Sequence, residues 1–76
     1  MITLYDFNGL DEKGKGDVVF SQGTFIDDRA EGEYKVQLYR VHGFYVEVYY
    51  HAVRNSVDRY RAFITANQLG AYIKPK

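Results

Sequence analysis

The sequence predicts an α+β fold: a short N-terminal helix, a four-stranded antiparallel β-meander and a short C-terminal helix, in a single domain over residues 1–76. Three observations point there. From Thr24 onward, short extended runs alternate with turn residues; aromatic residues make up 17% of the chain, eight Tyr and five Phe, the side chains that suit a pleated surface; and the stretches on either side of those runs carry helical spacing and capping residues.

The first helix is read from Leu10 to Gln22, because Leu10, Gly14 and Val18 recur at helical spacing, acids sit in the first turn and Gly23 offers a left-handed stop. Gly14 and Gly16 oppose it, each costing about 1 kcal/mol relative to Ala inside a helix, and "DVVFSQGTF" also has the composition of a strand. The four strands are "TFIDDR", "EYKVQLYR", "FYVEVYYH" and "VDRYRAFI", separated by "AEG", "VHG" and "AVRNS". At the end, Thr65 and Gln68 form a Thr-x-x-Gln capping box, and Leu69, Tyr72 and Ile73 fall on one helical face.

Register decides what the sheet presents, since a slip of one residue inverts every side chain of a strand. A two-residue turn at His42 and Gly43 would pair Leu38 with Glu47 and Val36 with Tyr49, putting the valines of the two strands on opposite sides. A three-residue connection, Val41 to Gly43, pairs Arg40 with Phe44, Leu38 with Val46 and Val36 with Val48; it gathers the aliphatics on one side and places Gly43 in the left-handed position of a bulged turn. That second register is the expectation. It leaves Lys35, Tyr39, Tyr45, Glu47, Tyr49, Arg59, Arg61 and Phe63 on the other face, an aromatic and cationic surface in which Glu47 lies close enough to arginines to pair.

Composition narrows the function classes. A chain of 76 residues makes one small domain, which buries only about 60 to 65% of its unfolded surface. With no Cys there is neither disulfide, thiolate metal site nor thiol nucleophile. The opening "MITLYDFNGLDEKGKG" lacks a basic segment ahead of an apolar core. No run approaches the roughly 20 apolar residues of a membrane span, so a cytoplasmic protein without membrane association is expected. Charge is balanced overall but divided: residues 1–33 hold eight acids against three bases, and residues 34–76 hold seven bases against two acids, halves that attract one another within one chain or between two copies.

Catalytic signals are thin. His42 sits at a turn and His51 at a strand end with no third ligand spaced for a metal, and both are read as exposed and structural. Asp27 and Asp28 are neighbours on a strand and point to opposite faces, which does not make a carboxylate pair, and Ser21 and Ser56 lack triad context. His51 and Glu47 are the distant candidates for an acid/base group. The expectation is a protein without enzymatic activity, cofactor or metal.

Both faces of the expected sheet carry more apolar area than an open sheet shows to water, and two short helices offer limited cover. Self-association through the aromatic face follows as the expected solution, with a homodimer as the commonest form and another protein as a further partner. The alternative is single-stranded nucleic acid bound on a Tyr/Arg platform, against which stand the neutral net charge and the lack of an RNP-type glycine-aromatic motif.

The blocks "FNGL" (7–10), "GTFIDDR" (23–29), "YKVQLYRVHGFYVEVYY" (34–50), "RNSVDRYRAF" (54–63) and "LGAYI" (69–73) span nearly the whole chain, and in their order the sequence resembles a group of short, uncharacterised bacterial proteins of unknown function. The resemblance implies a small stand-alone protein of the helix, four-stranded meander, helix type. It carries over no functional residue, and the glycines of "EKGKG" depart from it in the first helix.

Overall fold

The computed structural model describes residues 1–64, and the capping box and helix read over residues 65–73 lie outside them. Two helices precede a four-stranded antiparallel sheet: α1 (Leu4–Asn8), α2 (Glu12–Gln22), β1 (Thr24–Glu31), β2 (Tyr34–Val41), β3 (Phe44–His51) and β4 (Ser56–Phe63), with strand order β1-β2-β3-β4. The α+β class and the meander therefore stand.

The helical part differs from the single element read over Leu10 to Gln22. Thr3 caps α1 through a reciprocal box, its hydroxyl accepting from the Asp6 N–H at 3.2 Å while the Asp6 carboxylate accepts from the Thr3 N–H at 3.1 Å. Asp11 caps α2, accepting from the Gly14 N–H at 2.8 Å, so Leu10 falls in the connection. Gly16 has a packing reason to be in α2, since a methyl there would approach the Tyr60 hydroxyl to 2.8 Å. Gly23 does not supply a left-handed stop. Its φ of −84° and ψ of 152° are extended, because the chain runs directly into β1 with the Gly23 N–H still bonded to the Val19 carbonyl.

The β2–β3 connection corrects the expected register. Val41 pairs with Phe44, Tyr39 with Val46, Leu38 with Glu47 and Val36 with Tyr49, so the turn holds two residues, and its left-handed backbone falls on His42 (φ 51°). Two-residue hairpins are the commonest kind. Aliphatic segregation failed as a guide because both faces of this sheet are buried: Val46 and Val48 on one side and Val36 and Leu38 on the other are all at most 1% exposed. With both sides dry, charge placement decides instead. The expected register would have turned Arg40, and through its pairing with β2 also Arg29, toward the helices.

One face carries the main core. Phe7 and Val19 from the helices meet Val41, Phe44, Val46 and Val48, with Ile2, Leu4, Val18, Tyr39, Val57, Tyr60 and Ala62 around them. The Phe7 ring lies 5.6 Å from that of Phe44 and 6.5 Å edge-on to that of Tyr60. Each such buried side chain contributes about 1.5–3 kcal/mol. Helix α1 packs against β4, and α2 against β2 and β4.

Two glycines separate close packing from open space. A methyl on Gly23 would stand 2.4 Å from the Val19 carbonyl oxygen, whereas one on Gly43 meets nothing within 4 Å. Gly23→Ala should therefore cost about 1–3 kcal/mol, and Gly43→Ala less than about 0.5 kcal/mol, compared by urea unfolding midpoints.

Candidate functional site on the Glu47 face

The second face is built from rows that cross the sheet. Reading from β1 to β4, the pairings align Thr24, Arg40, Tyr45 and Phe63; then Asp27, Leu38, Glu47 and Arg61; then Arg29, Val36, Tyr49 and Arg59; then Glu31, Tyr34, His51 and Ser56. Strand alternation does the sorting, because opposite residues in an antiparallel pair share a side.

Glu47 sits at the centre, 1% exposed. Its Oε2 accepts from the Arg29 guanidinium at 3.1 Å, and its Oε1 accepts from Arg61 at 2.6 Å and from the Tyr49 hydroxyl at 3.4 Å. Arg29 also donates to the Tyr49 hydroxyl at 3.2 Å. The Arg59 guanidinium lies over the Tyr49 ring, 4.0 Å from its centre, and that of Arg61 lies 5.2 Å from the centre of Phe63. Both carboxylate oxygens are engaged by cations from opposite edge strands, so Glu47 ties β1, β3 and β4 together.

Of the eight residues assigned to this surface from sequence, Tyr45, Glu47, Tyr49, Arg59, Arg61 and Phe63 are on it. Tyr45 stacks on Phe63 with ring centres 5.7 Å apart and planes at 24°. Lys35 and Tyr39 are not, for the register reason given above. Lys35 lies on the helix side, 3.7 Å from the Asp28 carboxylate, and Tyr39 packs edge-on against Phe20 and Phe25. The surface is also drier than expected, Tyr49 and Phe63 being 3% and 4% exposed.

Sequence reading missed Arg29. Its signal was the Gly32–Glu33 turn: a two-residue connection there pairs Glu31 with Tyr34 and Arg29 with Val36, on Glu47's side. It also missed what surrounds His51, which is buried rather than exposed. The His51 Nδ1 accepts the Arg54 N–H at 3.1 Å, so the proton is on Nε2, which lies 2.9 Å from the Glu33 carboxylate. The Tyr34 ring stands edge-on to the imidazole, 5.1 Å away, and its hydroxyl donates to the Asp58 Oδ2 at 2.7 Å while Arg54 engages the same oxygen.

The Tyr34 hydrogen bond holds the Asp58 carboxyl below its usual range, with the Arg54 charge adding to it, and the same bond raises the Tyr34 phenol above its usual value. Among the described residues no group of three or more His, Asp or Glu could hold a metal ion, and no helix is long and apolar enough to cross a membrane. No known protein family, curated protein or solved structure matches this chain.

Glu47→Ala leaves two arginines facing a vacated carboxylate position and should cost about 3 kcal/mol. Arg61→Ala, whose side chain is 43% exposed, should cost much less, about 1 kcal/mol; chemical denaturation of the two variants tests the order. For Tyr34→Phe the pH dependence follows from the two shifts. A depressed Asp58 contributes stability above its unfolded-state value, lost as pH falls through its folded value, and a raised Tyr34 contributes below its unfolded-state value, lost as pH rises through its folded one. The stability gap between wild type and variant should be full near neutrality and shrink below about pH 4 and above about pH 10, which denaturation across pH measures.

Proposed function

We propose that this chain is a protein-interaction module that self-associates, with the contact centred on the start of its β1 edge. The observation that carries the reading is a group of exposed apolar side chains close together at one edge of the sheet. Phe20, Phe25 and Ile26 are 58%, 50% and 46% exposed. The first two gather over Tyr39 through ring contacts at 5.7 Å each. Ile26 occupies the irregularity between Phe25 and Asp27, so apolar groups flank an edge strand at its N-terminal end. Exposed apolar groups on a sheet edge favour association.

A second copy is the occupant the chemistry supports. Zero net charge gives two copies no overall repulsion, and the acidic first 33 residues complement the basic remainder. A two-fold arrangement lets one patch serve both partners. The single-stranded nucleic-acid reading has less support, since Tyr49 and Phe63, the rings that would stack on bases, are buried and Arg61 is held by Glu47.

Sedimentation velocity at micromolar concentration tests the reading. Wild type should sediment as a dimer, and a Phe20→Ser/Phe25→Ser double variant with an unchanged circular dichroism spectrum should sediment as a monomer. A monomeric wild type, or a double variant that stays dimeric, removes the basis for it.

A further inference from the structure

At the β2–β3 turn end of the Glu47 face, Gln22, Thr24, Ile26, Arg40, His42 and Tyr45 line an open hollow of about 550 Å³, within the size range of small-molecule sites. Its chemistry is one-sided. Five of the six lining residues carry hydrogen-bond donors and none carries a carboxylate. Asp27, the nearest acid along β1, lies in the next row, opposite Leu38.

Arg40 is the cation of this hollow. Its Nε donates to the His42 carbonyl at 3.4 Å, which fixes the guanidinium against the turn, and it enters none of the ion pairs among the described residues. Arg29, Arg54 and Arg61 meet carboxylates, and Arg59 lies over the Tyr49 ring. Thr24 and Tyr45 stand in the same row as Arg40, on either side of it. The His42 Nε2 lies 2.9 Å from the Gln22 Oε1, an oxygen that only accepts, so the imidazole donates there and the Gln22 amide nitrogen is left as a donor.

A planar guanidinium flanked by hydroxyl and amide donors matches a tetrahedral oxyanion. The remaining wall is apolar, from Ile26 and from the Tyr45 ring backed by Phe63. We propose that this hollow binds a phosphate monoester of a flat apolar group, its phosphate on Arg40, Thr24 and Tyr45 and its organic part against Tyr45 and Ile26. The hollow is lined by one chain, and its Ile26 also belongs to the β1-edge contact proposed above.

Titration of the amide resonances with phenyl phosphate, inorganic phosphate and phenol tests it. Phenyl phosphate should give saturable shifts at Thr24, Arg40, His42 and Tyr45, inorganic phosphate the same shifts at higher concentration, and phenol none. Arg40→Gln should weaken phenyl phosphate about tenfold or more, and Arg40→Lys, which keeps the charge but loses the fork, should fall between. The Phe20→Ser/Phe25→Ser variant should bind as wild type does, so that failure of the dimer and failure of the site are read separately. Unchanged affinity in Arg40→Gln, phenol binding as well as phenyl phosphate, or equal shifts at Lys13 and Arg59 would each overturn the proposal.

Discussion

The buried carboxylate of Glu47 is the constraint on which the rest of this sheet depends. An ionised carboxylate taken out of water without partners is too costly for a domain whose whole stability is of order 5 kcal/mol. Its partners come from strands far apart in sequence, Arg29 on β1 and Arg61 on β4. Sliding β1 and β2 by one residue against β3 would carry Arg29 to the helix side and leave Arg61 as the only one of the two on the carboxylate's face. The register of the sheet is thus specified by charge as much as by apolar packing.

The same ion cluster contributes to a second dry face on a sheet whose described helices, α1 and α2, lie on one side. Aliphatic Val36 and Leu38 lie in rows between Arg29, Asp27, Tyr49 and Glu47. Long side chains of arginine and tyrosine cover apolar surface with their stems and rings while keeping polar ends engaged. Polar contacts within the face join Glu47 to Arg29, Tyr49 and Arg61. Phe20, Phe25 and Ile26 at the start of β1 and the donor-rich hollow at the turn end are neighbouring features of the surface, with Ile26 common to both.

The far end of the face repeats the pattern on a smaller scale. His51, Glu33, Tyr34, Asp58 and Arg54 join the β1–β2 turn to the β3–β4 connection, where Asn55 adopts a left-handed backbone (φ 57°) and the Ala52 N–H bonds to the Glu33 carbonyl. Asp58 lies in the irregularity opposite Tyr49 and Tyr50, which lets it reach Tyr34 two strands away. Removing a residue from that irregularity would break the Tyr34 contact, since strand alternation would turn Asp58 to the other side.

The sequence by itself determined the α+β class, the four strands and the membership of β3 and β4 in each face, because period-two alternation and turn residues are local properties of the chain. Tyr45, Glu47, Tyr49, Arg59, Arg61 and Phe63 were legible for that reason. The short α1 was also present locally, in the Thr3 to Asp6 capping box. Only the tertiary structure decided how β2 meets β3, and with it the positions of Lys35, Tyr39 and Arg29. Both candidate turns satisfy local rules, and the register that forms is the one that brings Arg29 to Glu47, 18 residues away, a contact that no local pattern encodes.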